Sequence, residues 1–190
     1  MELVAMQELN TPRLKLRKLT AEDIPAYYAR LGSSASVSKY MLWNPHNSLS
    51  ESEAWVQTIL QRYACSTCYY WGIAQQNDNS LIGAITLLRF DEETNSCSFA
   101  YMLAEEFWGC GFGTEALSAV LDFGFSQLKL DAIIADHMAE NTASGRVMQK
   151  AGMHFQAVLP NKHEKNGVCH DAVQYIITRS DWVQQKETQH

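Results

Sequence analysis

Three glycines alternate with larger residues in Trp108-Gly109-Cys110-Gly111-Phe112-Gly113-Thr114-Glu115-Ala116. A strand-like run, Cys97 to Leu103, lies just upstream, and apolar residues at helical spacing (Leu117, Val120, Leu121, Leu128) follow. Strand, glycine loop and helix start together form a pyrophosphate-binding arrangement. Glycine lets the main chain come close to a ligand, and the free N–H groups of a helix's first turn point at an anion. The loop is the leading candidate for a nucleotide-type cofactor site, against the blander reading of a tight turn. Other groups offer proton chemistry. Tyr101 and Tyr175 carry acidic hydroxyls, but aromatic residues in strands are expected to pack in the core. Ser144 sits at a helix start, as an acid or simply as a cap. His163 and Glu164 lie in the polar run Asn161 to Asn166, whose default reading is a solvated loop. Asp171 is expected to be a structural partner.

These residues need a frame to hold them. Leu14-Lys15-Leu16-Arg17-Lys18-Leu19 alternates like a first strand. Thr20 then caps a helix with Glu22 and Asp23 in its first turn, running to Leu31 and stopping at Gly32. Ser50 and Glu53 have capping-box spacing at the start of a second helix, with Trp55, Ile59, Leu60 and Tyr63 as its apolar stripe. Between them, Met41 to Asn47 is aromatic and irregular. It either lines a substrate pocket or tucks Trp43 into the core. Tyr69–Ala74, Leu81–Leu88 and Cys97–Leu103 are expected to form an antiparallel meander. After the loop come a helix in which Gly124 permits close packing, a short strand at 132–135, a helix from Asn141 to Ala151, and strands at 154–159 and 173–178. The sum is an α+β pattern (a mixed sheet), with six to seven mostly antiparallel strands, about four helices and one βαβ unit at the glycine loop. Residues 1–10 read as an extension, 11–182 as the domain, and 183–190 as a polar tail.

Composition narrows the classes. With 190 residues, 46% hydrophobic and 19% charged, the chain suits one globular domain. A net charge of −6 argues against a basic nucleic-acid-binding surface and is compatible with a cationic amine substrate. No run approaches the ~20 apolar residues of a membrane helix, and the start lacks a basic leader, so a cytoplasmic location is expected. The five cysteines read as reduced thiols. Cys65-Ser66-Thr67-Cys68 has redox or zinc half-site spacing. It lacks a matching second pair and follows a helix instead of opening one, so it reads as two ordinary thiols.

Four segments in order carry a resemblance that spans nearly the whole chain, from Thr11 to about Trp182. They are Pro12 to Arg17 with the Ala21-Glu22-Asp23 helix start, Trp108 to Ala116, Asn141 to Met153, and Asn166 to Tyr175. Together they resemble the GCN5-related N-acetyltransferase (GNAT) superfamily and, more narrowly, its Rim-type branch acting on N-terminal amines of ribosomal proteins. The resemblance implies acetyl-coenzyme A as cofactor. The amides of Trp108, Gly109, Cys110, Gly111, Phe112, Gly113 and Thr114 would surround the pyrophosphate, with Cys110 to Thr114 gripping it. Met102, Leu103 and Ala104 would pair with the pantetheine arm, and the Leu103 N–H would face the thioester oxygen. Asn141 would bond the pantetheine region, Ser144 would act as general acid, and Arg146 and Lys150 would meet phosphates. Many relatives carry a glutamate base where Ser98 stands, and the Rim branch places a carboxylate three residues before the Asn-Gly turn. His163 stands there with Glu164 beside it, and either would take the amine's proton.

The expected reaction is acetyl transfer to a primary amine, most simply a protein or peptide N-terminus, with no nucleic acid or membrane partner and room for a homodimer. The alternatives are a polyamine or aminoglycoside acceptor, or a coenzyme A sensor that has lost its base. A dinucleotide-binding reading, with Asp131 at the ribose, lacks Gly-x-Gly-x-x-Gly spacing.

Overall fold

The structure, a computed structural model, describes residues 4–65 and 68–188. Its centre is an eight-stranded sheet ordered β1-β2-β3-β4-β5-β6-β8-β7. The strands are β1 (Leu9–Asn10), β2 (Leu14–Arg17), β3 (Tyr69–Gln75), β4 (Leu81–Asp91), β5 (Ser96–Leu103), β6 (Ala132–Met138), β7 (His154–Lys165) and β8 (Val168–Thr178). All neighbours are antiparallel except β5 and β6. The sheet has one strand more than expected, through the two-residue β1. This is not the parallel sheet of a dinucleotide fold. Asp131 is held by Asn95 and Arg179 instead of facing a ligand.

Alternation along β3 divides the core. Tyr69, Trp71 and Ile73 enter one apolar layer with α4 (Phe112–Ser126) and α5 (Thr142–Lys150). Tyr70 enters the other, with α1 (Ile24–Tyr27), α2 (Ala35–Ser38) and α3 (Leu49–Arg62). Gly124 of α4 lies against Ile133, where a Cβ would come within 2.6 Å of its Cδ1, so glycine is needed for that approach.

Several local expectations are corrected. The helix after Thr20 is segmented into a 3₁₀ turn (Ala21–Asp23), α1 and a π turn (Tyr28–Gly32). Gly32 has no positive φ, so it is not a left-handed cap. α3 starts after Ser48, two residues before the expected Ser50, and Ser48 makes no side-chain cap bond. The polar run 161–166 is not a loop, because β7 continues to Lys165 and turns at Asn166-Gly167.

Described residues near both ends pack on the sheet. Val4, Met6 and Leu9 pack on the core, and the buried Tyr69 hydroxyl and Trp71 indole N–H donate to the Val4 and Gln7 carbonyls (both 2.7 Å). The expected polar tail forms most of α6 (Arg179–Thr188), whose Trp182 packs against Phe125 and donates to Asp122 at 2.6 Å. Ser66 and Thr67 of the two-cysteine motif lie outside the described residues. Cys65 is exposed and Cys68 buried.

Candidate functional site

β5 pairs with β6 only from Ser96 to Ser98 and with β4 up to Leu103, so its upper half has one open edge. The Ala104 N–H bonds Ile82 O at 2.8 Å. The alternation of an antiparallel ladder therefore turns the Leu103 N–H toward the gap and those of Met102 and Ala104 toward β4. This corrects the expectation for that segment: of the three amides, only Leu103's faces the gap. The Trp108 indole donates to the Leu103 carbonyl at 2.8 Å and fixes that peptide.

A cleft of about 470 Å³ opens at this gap. β5 contributes Tyr101, Met102 and Leu103, the loop Trp108, Gly109, Gly111, Gly113 and Thr114, and the α5 region Asn141, Ser144, Arg146 and Lys150. Most of the sequence-derived cofactor residues thus come together. Ala104 is fully buried, Cys110 turns its carbonyl to Arg13 Nη1 (3.0 Å), and the Phe112 ring lies under the Arg13 guanidinium (4.4 Å), so these three side chains do not line the cleft.

Gly109 and Gly111 have φ of 75° and 84°, a left-handed conformation that favours glycine. They turn the chain into α4, whose first-turn N–H groups have no side-chain cap. Among the described residues, the amides from Gly109 to Thr114 have no protein acceptor. The loop is tied down from behind. Glu115 accepts from the Thr11 hydroxyl (2.6 Å), the Arg13 N–H (2.9 Å) and Arg13 Nε (2.7 Å). Burial works to raise the Glu115 carboxyl, but these donors hold it below the ordinary range. Sequence reasoning gave Arg13 and Glu115 no such part, because their spacing of about a hundred residues carries no local signal.

On the other face of β5, a cavity of about 220 Å³ is lined by Tyr27, Trp43, His46, Trp55 and Tyr70, with Ala84 to Thr86 and Ala100 to Met102 forming the sheet side. Tyr101 and Met102 line both spaces. Tyr101 is therefore not merely core packing, as expected from sequence. Burial pushes its phenol up, and a hydrogen bond with Ser144 opposes this. Tyr175 does pack in the core, its hydroxyl accepting from Gln149 (3.1 Å). Asp171 accepts the Asn161 N–H at 2.9 Å, a structural bond. Asn141 caps α5, its side chain accepting from the buried Ser144's N–H at 3.4 Å.

The two proposed bases fare differently. His163 sits on β7 against the Asp136 carboxylate, and Glu164 is exposed opposite Cys169. Neither lines either space. The strand that replaced the expected loop pairs them with His170 and Cys169 of β8. Ser98 also lies outside both spaces, where β5 is paired on both edges. The hairpin contributes Lys165 instead, whose ammonium donates to Ser38 O (2.5 Å) and Trp43 O (3.2 Å) and clasps the loop bearing Trp43 and His46.

Comparison with known proteins agrees with this geometry. Residues 13–154 match the family described as acetyltransferase (GNAT) domain. The chain is 30% identical over 171 residues to the uncharacterized N-acetyltransferase YoaA of Bacillus subtilis, covering 90% of this chain and 96% of that protein. Among solved structures, a GNAT-family acetyltransferase from Bacillus anthracis superposes with a TM-score of 0.82 at 24% identity, over 92% of this chain and 99% of that one. A spermidine N-acetyltransferase from Vibrio cholerae, solved with CoA and spermine, superposes with a TM-score of 0.78 at 21% identity, over 91% and 99%.

Proposed function

The chain belongs to the GNAT acetyltransferase family, and from that premise we propose that it moves an acetyl group from acetyl-coenzyme A to the N-terminal amine of a protein or peptide, as in the Rim-type branch. The observation that carries this reading is the open edge of β5, with a cleft on each side and Tyr101 and Met102 common to both. Unclaimed amides, left-handed glycines with open space at Gly109, and an unpaired strand edge fit a long, diphosphate-bearing thioester. When bound, that cofactor supplies an activated acetyl group.

The chain's own residues would do the following. The first turn of α4 holds the diphosphate, with Arg146 and Lys150 along the same cleft as cations for its phosphates. The Leu103 N–H donates to the carbonyl oxygen as negative charge develops there, a preorganised donor in a partly enclosed site. Tyr101, which lines both spaces, and Ser144, which lines the cofactor cleft, are the proton donors for the leaving sulfur. The phenol stays protonated because burial raises its pKa.

The acceptor cavity also favours one amine class. Its lining holds no aspartate, glutamate, lysine or arginine. A polyamine, such as the spermine bound to the Vibrio relative, brings further ammonium groups that need carboxylates or water. An N-terminal amine brings a single charge next to an ordinary side chain, which aromatic walls can cover.

The test is mass spectrometry after incubation with acetyl-coenzyme A and a panel of peptides, spermidine and an aminoglycoside. Acetylation of peptide α-amines is expected. Acetylation of spermidine alone would reverse the choice of acceptor, and modification of no amine would reject the reading.

A further inference from the structure

The acceptor cavity contains one side chain of a type that exchanges protons near neutral pH, His46. The phenols of Tyr27 and Tyr70, which face it, are held protonated because burial pushes both well above the ordinary tyrosine range. Other charged groups nearby are already engaged. Glu51 on α3 accepts the Asn47 N–H at 3.0 Å, and Lys165 sits on the Trp43 carbonyl.

His46 is held in place on several sides. Its backbone N–H donates to Gly32 O at 2.8 Å. Its ring lies 6.3 Å from that of Tyr27, stacked at 30°, and 5.7 Å from that of Trp43. Its Nδ1 is 2.6 Å from the hydroxyl of Ser52, a residue fully buried on α3. Gly32 makes the contact possible, because a Cβ there would press on both Ser52 Oγ and His46 Nδ1. With Nδ1 engaged by Ser52 on the buried side, Nε2 is the nitrogen left for the cavity.

We propose that His46 is the proton acceptor for the attacking amine and that Ser52 is the positioning residue that orients its ring. The proposal rests on the acetyl-transfer reading above. With Nδ1–H donating to Ser52 Oγ, Nε2 keeps its lone pair. The amine nitrogen forms the C–N bond to the acetyl carbonyl carbon, and the C–S bond breaks with its electron pair remaining on sulfur. The proton lost by the nitrogen goes to His46 Nε2. The sulfur takes one proton from the Tyr101–Ser144 pair, which is restored through solvent by the proton that His46 releases. Counted from the neutral amine, the net reaction moves one proton from amine to thiol; an acceptor that arrives as the ammonium first gives one proton to solvent.

The experiment measures kcat/KM against pH for the wild type, His46→Gln and Ser52→Ala, with acetyl-coenzyme A and the best peptide of the panel. His46→Gln is expected to lower kcat/KM about 100-fold, in line with loss of a positioned general base. The peptide's own α-amine titrates at about 7.7–8.0 and gives an acidic limb in both enzymes, so wild type and variant are compared on the same peptide. His46→Gln should remove the part of the limb that the amine does not account for and leave coenzyme A affinity by calorimetry unchanged. Ser52→Ala should keep that limb but move its midpoint, with a smaller loss. A His46→Gln enzyme with the wild-type limb and rate would overturn the proposal while leaving acetyl transfer standing. A wild type inactive on every amine would end both. If His46→Gln no longer binds coenzyme A, the His46 ring is titrated by NMR in the wild type. A midpoint matching the kinetic limb supports the assignment, and a mismatch overturns it.

Discussion

Backbone nitrogens carry much of this site, and the side chains around them serve mainly to hold them in place. Trp108 holds the Leu103 peptide and Glu115 anchors the glycine loop through Arg13. The same division of labour occurs at the entrance to the fold, where Asp23 receives Arg17 Nη1 at 2.8 Å and the Thr20 N–H at 2.8 Å while almost fully buried. Burial works to raise the Asp23 carboxyl, but Arg17 and Thr20 outweigh it and hold it below the ordinary range. Its contribution is therefore complete above the unfolded aspartate value of about 3.9 and is lost as pH falls through the lower, folded value. Asp23→Asn should cost about 2 kcal/mol at pH 7, because it takes the counter-charge from the half-buried Arg17 guanidinium, which then keeps Asn79 and the Lys18 carbonyl as acceptors. Urea denaturation should show that difference shrinking below about pH 4. At this scale the sequence exposed residue types but not partners. Thr20 and Asp23 are three apart and legible, whereas His46–Ser52 needed the π turn that ends at Gly32.

At the scale of elements, the glycine loop was the most readable part, because backbone conformation leaves its mark in local sequence. Gly109 has φ of 75° and no atom within 4 Å of a built Cβ, so its glycine is required for conformation and not for space. Gly109→Ala should strain the turn by about 1 kcal/mol. Through the redirected amides it should weaken coenzyme A binding roughly tenfold by calorimetry, with the apo fold retained by circular dichroism. The β7–β8 hairpin was the least readable. Its polar run has the composition of a loop but pairs across Asn166-Gly167, with φ values of 52° and 79°, a two-residue turn that suits twisted strands. The strands extend to that turn, and His163 and Glu164 on β7 line neither space.

The whole molecule explains why the ends matter. Trp71 is fully buried, yet its indole donates to the Gln7 carbonyl, and Tyr69 likewise relies on Val4. Deleting residues 1–8 should orphan both donors and destabilise the domain by about 2 kcal/mol or more in thermal or urea unfolding, beyond the lost packing of Val4 and Met6. The sequence by itself determined the family, the α+β class, the meander and the glycine loop that opens α4. Each of these is written in short-range periodicity, in glycine positions or in motifs of contiguous residues. Only the tertiary structure decided which side chains face the acceptor. That depends on where β5 parts from β6 and on how loops far apart in the chain close over the gap. Long-range packing of this kind has no period, so which residues of the irregular segment 41–47 line the second cavity, His46 among them, could not be read from the sequence.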